Sequence, residues 1–541
     1  MNAPAPTPGM LNYRDAQQCR ALIAELPLTN VPRVRDTLTR MLYGLRQTPP
    51  RSADYLDVLE AMRAPLHFLQ ESLGKRYSSR PVAPGSTEDG VLRQVVALWM
   101  AMAQAYAQAA EKADLHPLTD AQLALVCQRC VLYASRAVIE YFRARRTLPR
   151  GLWLELHGYY STAEEWGFAT QPVADSLKEG GYPQSAAESY CSVLLVDLAN
   201  PYGRSPREFE WVCRWADQYA GLTEIMPVFG GTDARTYAID LNLDSGAKPL
   251  EVFARTPNLR RLGSARLASE IERVVAGLKQ GLSPETLGLG ADCHPLSAGR
   301  LLLQLYKPWC HAANPRRFQR RSGDGEIDIA ISQEAMHYLI AGEEFVQPPP
   351  ARIYSHSDFV DIATFGERAT DGAGLAVRQA SARAQYPTQH WAVLDHSVMG
   401  YRLRAPRETA AIEYSQMLAV FGPDSEHWRL ARVSWLMYEH DGHLLTGLHV
   451  LPGTPRALSV RPLADEGMPA ERFSRAFLLP AVQVMGEEAS LVLPRGWFQA
   501  DRKLEIFLNG TLRAVQLTRL LAFGVNYERA AFGEETPANG V

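Results

Sequence analysis

The sequence is poor in cysteine. Seven cysteines in 541 residues, an odd number, exclude the disulfide framework of a small secreted protein. Long apolar runs are missing as well. The most apolar stretch, Val91 to Ala110, has Arg93 near its start and is interrupted by Gln94, Gln104 and Gln108. A bilayer span needs about 20 mostly apolar residues, so a buried soluble helix is expected there, and no membrane insertion. The N-terminal stretch MNAPAPTPGMLNYRDAQQ has no basic segment followed by an apolar one, so no signal peptide is expected and the reading is a cytoplasmic protein. Net charge is almost absent: 56 Lys+Arg against 59 Asp+Glu leave −3. That excludes binding a long polyanion through bulk charge, so DNA and RNA are not expected partners, but it leaves room for a local basic patch. Enzyme signatures are lacking too. There is no G-x-S-x-G, no P-loop and no H-E-x-x-H, and Gly288-Leu289-Gly290 has no strand–helix unit around it that would make it a dinucleotide fingerprint. No enzyme is expected.

What is present is a globular composition, 46% hydrophobic and 21% charged, which excludes disorder along the whole chain and a long solvated coiled coil. At roughly 100–200 residues per domain, the length predicts about three domains or more. Residues 1–225 read as helical. Ala16–Leu26, Val31–Leu45, Ala53–Leu73, Val91–Ala113, Asp120–Arg145, Gln184–Ala199 and Pro206–Tyr219 carry apolar residues at three- and four-residue spacing. Pro49-Pro50, Ser78–Gly90 and Leu148–Gly151 break the pattern. Trp153–Tyr160 resembles a tetratricopeptide helix, but no 34-residue period is sustained, so a helical bundle or solenoid is expected.

Residues 226–313 read as a mixed α/β connecting region. It has a short hairpin, Thr236–Leu241 and Pro249–Ala254, around the turn Asp244-Ser245-Gly246, and helical patterns at Ser264–Gly277 and Ser297–Tyr306. A dense basic patch follows, Arg316-Arg317-Phe318-Gln319-Arg320-Arg321, and then a strand-like run, Glu326–Ser332. Residues 343–389 read as an insertion, with a short helix around Ala376–Ala384. From His390 to Leu451 short strands recur between Gly, Pro and Asp turns, as in a barrel: Trp391–Leu394, Gly400–Ala405, Met417–Phe421, Trp428–Tyr438 and Leu444–Leu451. Residues 453–530 give further strands, a C-terminal β domain, and 531–541 reads as a fraying tail. The fold class expected is therefore α+β and multidomain: a helical domain, a β-barrel over 314–452 with a long insertion, and a C-terminal β domain.

Two features carry the chemistry. The arginine cluster holds two overlapping R-x-x-x-R frames, Arg316 with Arg320 and Arg317 with Arg321. The segment Asp395-His396-Ser397-Val398-Met399-Gly400 reads D-x-S-x-x-G between two strands. In this order, flanked by short strands and followed by Gly400-Tyr401-Arg402-Leu403, Trp428–Leu436 and Leu445–Val450, they resemble the PilZ domain, a bacterial receptor for cyclic di-GMP. The resemblance covers about 314–345 and 389–452. It implies a ligand-binding antiparallel β-barrel with Arg316, Arg317, Arg320, Arg321, Asp395, Ser397, Gly400 and Arg402 as ligand contacts, cyclic di-GMP as ligand and no cofactor. The physical chemistry agrees with that role. A guanidinium fork makes paired bonds to phosphate or to the guanine O6/N7 edge and stacks on a purine face. A carboxylate such as Asp395 accepts from the guanine N1–H and N2–H₂ edge, and the Ser397 hydroxyl adds a partner. Gly400 permits close backbone approach. Of the two frames, Arg317 with Arg321 is preferred, because the strand begins close behind. The family's outputs are motility, adhesion, biofilm or secretion, so a protein partner is expected, most readily on the helical domain. The competing reading is a non-enzymatic scaffold whose barrel no longer binds ligand.

Other candidates are read as structural. Cys127-x-x-Cys130 lies in a helical stretch with no second such pair, which predicts core. Cys293-His294 and Cys310-His311 offer four zinc-ligand types, but adjacent side chains diverge and an apolar helix separates the pairs, so no metal is expected. His396 is read as a loop histidine, not a base.

Overall fold

In the computed structural model, the residues described are 12–78, 81–111, 117–178, 182–228, 236–312, 320–323, 325–348, 386–407, 411–422, 425–463 and 471–534. The chain divides into two compact units, one of 1–316 with 437–442 and one of 317–436 with 443–541.

The first unit begins with eight helices among the described residues: α1 (Ala16–Ala24), α2 (Val31–Gln47), α3 (Ser52–Gly74), α4 (Thr87–Glu111), α5 (Asp120–Arg143), α6 (Leu152–Glu165), α7 (Ala186–Leu198) and α8 (Pro206–Tyr219). Local sequence sets several of their starts. α5, α7 and α8 open on reciprocal capping boxes, Thr119/Gln122, Ser185/Glu188 and Ser205/Glu208. α5 is the central rod, and every residue from Val126 to Ser135 is buried. Cys127 and Cys130 lie in that stretch, and burial pushes the Cys127 thiol up to about 11. Among the described residues, no helix is long and apolar enough to cross a membrane.

Polar residues are buried in this unit where they pair. The Arg63 and Arg129 side chains are 3% and 1% exposed and meet Asp175, itself 3% exposed, at 2.6 and 3.6 Å. Arg129 also donates to Glu60 Oε1 (2.8 Å) and to the Ala174 carbonyl (3.1 Å). Arg63 Nε donates to the Tyr133 hydroxyl at 3.0 Å, and Tyr106 donates to Glu60 at 2.7 Å. The connection between α6 and α7 is thereby held to α3 and α5.

The region after α8 adds a four-stranded antiparallel sheet, β1 (Glu224–Pro227), β2 (Tyr237–Asp240), β3 (Lys248–Pro249) and β4 (Leu259–Gly263), in the order β1-β4-β2-β3. Helices α9 (Ala265–Lys279) and α10 (Pro295–Cys310) follow. The expected hairpin forms as β2 and β3, but β3 stops at Pro249 and Leu250–Val252 turn into a 3-10 helix. Proline cannot donate to the next rung of the ladder. The connecting region has a small core of its own, Ala238, Leu250 and Leu259, and otherwise shares that of the helices. Tyr237, Leu262, Ile271, Leu301 and Trp309 join the same hydrophobic cluster as Leu38, Leu59 and Trp215. Asp244, in the β2–β3 turn, accepts from the backbone N–H of Gly151 (2.6 Å) and Trp153 (3.1 Å) and so caps α6 from a distance.

Half-buried Asp197 on α7 is an ionisable group at odds with its surroundings. Desolvation pushes its carboxyl up to about 7, and Lys248 offsets this only in part. The folded state therefore holds this proton from the ordinary carboxylate range up to about pH 7, where the unfolded chain has lost it, and stability falls as pH rises through that window. Asp197→Asn is expected to match the wild type near pH 4. Its advantage should grow up to about pH 7 and then level off, as read from thermal melts across pH. A constant difference at all pH values would contradict this.

The second unit holds two rings of strands. β5 (Arg321–Ser322), β6 (Glu326–Ala330), helix α11 (Gln333–Ala341), β7 (Gln389–Ser397), β8 (Gly400–Arg404), β9 (Met417–Phe421), β10 (Arg429–Tyr438) and β11 (Leu444–Val450) build the first. Its order is β5-β7-β6-β9-β10-β11-β8, and β8 pairs back onto β7. The six strands from β6 to β11 thus close a barrel, and β5 extends the edge of β7. β12 (Arg456–Pro462), β13 (Ser474–Leu479), β14 (Ser490–Leu493), β15 (Lys503–Leu508), β16 (Thr511–Phe523) and β17 (Glu528–Glu534) close the second barrel. The expected tail, 531–541, is thus in part its last strand. Ala530 and Ala531 are buried where β17 pairs with β14 and β16, and alanine and glycine give little strand signal.

The barrels share one core cluster, in which Met417, Ala419 and Leu430 of the first pack with Phe477, Leu479, Val492 and Tyr527 of the second. Asn526 clips onto Met417 by accepting from its N–H (2.8 Å) and donating to its C=O (3.1 Å). The described ends of the insertion are anchored. Gln347 exchanges two 2.9 Å bonds with the Phe473 backbone, and Tyr386 stacks on Tyr338 of α11. The short helix expected at Ala376–Ala384 lies outside the described residues.

Candidate functional site

The site is built on β5, β7 and β8. Asp395 and Ser397 do not sit in a loop: both belong to β7, and Gly400 opens β8, so the turn is only Val398-Met399. The register across the two strands pairs Ser397 with Gly400, His396 with Tyr401, and Asp395 with Arg402, after an irregularity between Val393 and Asp395. On the other side of β7, Ser322 pairs with Asp395 and Arg321 with His396.

These registers decide which arginine meets the carboxylate. Side chains alternate along a strand, and directly opposed residues share a face. Ser322 shares a face with Asp395, and Arg320, two residues earlier, continues that face. Arg321 falls on the other face. The side chains follow this rule: Arg320 Nη1 donates to Asp395 Oδ1 in an ion pair, while Arg321 is exposed opposite His396. The arginine that meets Asp395 is therefore Arg320 and not Arg321. Arg316 and Arg317 themselves lie outside the described residues. Arg402 Nη1 stands 3.8 Å from Asp395 Oδ2, so two guanidiniums flank one carboxylate. The Ser397 hydroxyl donates to the Gly400 carbonyl at 3.5 Å, and His396 lies along the Tyr401 ring, 6.3 Å between centroids.

Glycines shape this face, and most of them were not singled out in the sequence. A Cβ at Gly323 would overlap Val393 of β7, and Gly325 has φ +130°. Gly323 and Gly325 thus stand between β5 and β6, where β5 lies against β7. A Cβ at Gly447 on β11 would strike the Trp435 indole of β10. A lone glycine inside a strand-like run was the signal for that close approach. At Gly400 a Cβ would overlap the Leu448 carbonyl oxygen, which is backbone and yields little. Gly400→Ala is therefore expected to cost about 1–3 kcal/mol and to lower the melting temperature of the second unit. An unchanged melt would show that the turn relaxes freely.

Among the described residues, no group of three or more His, Cys, Asp or Glu side chains could hold a metal ion. Cys293 donates to the Leu289 carbonyl (3.2 Å) and Cys310 is half-buried at the end of α10.

A six-stranded ring with an arginine-led entry strand laid against D-x-S-x-x-G defines a PilZ-type domain. Residues 17–228 match the N-terminal domain of the cyclic-di-GMP receptor FimW, and residues 458–534 match the FimW C-terminal β-barrel domain. Along its whole length the chain is 24% identical to the cyclic-di-GMP receptor FimW of Pseudomonas aeruginosa, covering 94% of that protein. The chain is thus similar to FimW in its N-terminal region and in its C-terminal barrel.

Proposed function

We propose that this chain is a non-enzymatic receptor for cyclic di-GMP. It takes the dinucleotide on the outer face of the middle barrel through Arg320, Asp395, Ser397, Gly400 and Arg402, with Arg316, Arg317 and Arg321 available from the same segment. The relative's name as a cyclic-di-GMP receptor supports the ligand. The observation that carries the site is the meeting of Arg320 with Asp395, since these are the two groups that a guanine and a phosphate would each claim. In the resting state they neutralise one another. The ligand separates them: Asp395 accepts from the guanine N1–H and N2–H₂ edge, and Arg320 turns to phosphate or to O6/N7. Affinity is therefore net of an ion pair that must open, which for a partly exposed pair costs about 0–1 kcal/mol.

The signal passes to a protein partner, for which the helical region is our candidate surface. The setting is cytoplasmic, and the process is motility, adhesion, biofilm formation or secretion. Titration calorimetry of the full chain with cyclic di-GMP tests the reading. Binding by the wild type and marked weakening in Arg320→Ala are expected. Absence of wild-type binding would leave the scaffold reading.

A further inference from the structure

The ligand face has a second row of residues that the two motifs leave unused. Across the strands, Asp395, Arg402 and Gly447 stand opposite one another on β7, β8 and β11. Two residues further, about 7 Å along the strands, Ser397, Gly400 and His449 form the next row on the same face. Gly400 contributes no side chain, and the place of a Cβ is taken by the Leu448 carbonyl, so Ser397 and His449 are the side chains this row presents. Beyond His449 the charged neighbours are Arg432 of β10, Arg529 of β17 and Glu487, between β13 and β14. The carboxylate among them is committed: Glu487 is held by Arg529 at 2.8 Å. Arg529 is 7% exposed and also donates to the Ser490 hydroxyl at 2.8 Å, so it is fixed behind the others. Arg432 and His449 are only half-buried, and the register opposite Gly400 places His449 on the face.

We infer that His449 and Arg432, backed by Arg529 of the C-terminal barrel, form a second anion subsite that takes the distal phosphate of the dinucleotide. This rests on the ligand reading above. The columns carrying Arg402 and Arg432 lie two strand spacings apart, about 10 Å, so they grip a two-phosphate ligand from opposite sides. One guanine edge meets Asp395, and the far phosphate meets Arg432 and the His449 ring. The C-terminal barrel then belongs to the receptor site through charge rather than through a pocket of its own. Its interior is filled by Leu458, Val460, Leu491, Leu504, Ile506 and Leu517.

The experiment is calorimetry of the full chain with cyclic di-GMP for the wild type, Arg432→Gln, Arg432→Lys and His449→Gln, with a thermal melt of each. Arg432→Gln and His449→Gln are each expected to weaken binding about tenfold, the loss of one charge-assisted bond. Arg432→Lys should recover most of the loss, and the melts should be unchanged. Wild-type affinity in both glutamine variants overturns the subsite and leaves the Asp395 site standing. So does a loss that follows a lowered melting temperature, or one that lysine fails to rescue. No binding by the wild type overturns the ligand assignment itself, and is told apart by that trace alone.

Discussion

Asp395→Ala is expected to weaken cyclic di-GMP binding by about 5- to 150-fold, the equivalent of about 1–3 kcal/mol for a paired contact to a base edge. The direction follows from chemistry that no neighbour replaces. The carboxylate is the acceptor-only group on this face, flanked by Arg320 and Arg402, which only donate. Two opposing effects set the size. Removing Asp395 deletes the guanine acceptor, but it also frees Arg320 from a pair that the ligand otherwise has to open. Arg320→Ala/Asp395→Ala should therefore be non-additive relative to the single variants, because the two residues share one interaction. The Asp395 side chain is 21% exposed and that of Arg320 27%, so the pair contributes little to folding, and the melting temperature of Asp395→Ala should stay near that of the wild type. Calorimetry and melting together separate a binding defect from a folding one. Undiminished affinity in Asp395→Ala would remove this carboxylate from the ligand contacts.

The largest effect on stability is expected in the first unit. Asp175→Ala should destabilise the helical unit by about 3–5 kcal/mol, because it leaves buried guanidiniums without their carboxylate. Glu60 remains, but it is 32% exposed and already serves both arginines and Tyr106. Burial alone would raise the Asp175 carboxyl. The Leu177 N–H and the Arg63 and Arg129 guanidiniums overcome it and hold the group below its ordinary range. A depressed folded pKa gives stability that is present above the unfolded value, about 3.9, and is lost as pH falls through the folded one. The deficit of Asp175→Ala should thus shrink in strong acid. Urea denaturation followed by helical circular dichroism reads both effects. A deficit under about 1 kcal/mol at pH 7 would mean that the loop relaxes and water reaches Arg63 and Arg129.

Much of this architecture was legible because the governing signals are local. Apolar spacing and breakers place the helices of the first unit, and the short apolar run Trp391–Leu394 marks strand β7. The candidate motifs were legible too, as residue types in order. What the sequence could not convey was register. Whether Arg320 or Arg321 meets Asp395 depends on Ser322 lying opposite Asp395, a pairing across 73 residues of chain that a shift of one position would reverse. The placement of Asp395 and Ser397 within β7 had the same cause, since a strand continues through a turn-like composition when both neighbours pair with it. Asp244 looked like an ordinary turn residue, and its role as a distant cap for α6 exists only in three dimensions. Last, the Ala-Ala-Phe-Gly run of β17 has weak strand propensity and becomes a strand because β14 and β16 leave a gap that it closes.

The core shared by the two barrels has a consequence for how the second unit comes apart. Met417, Leu430, Phe477 and Tyr527 have no dry environment unless both rings are present, so neither ring can open while the other keeps its packing. Hydrogen exchange should therefore report one cooperative block: the amides of β9 and β10 should exchange at the same slow rate as those of β14 and β17, in a single sub-global event. Separate rates for the two rings would mean that each folds as its own piece.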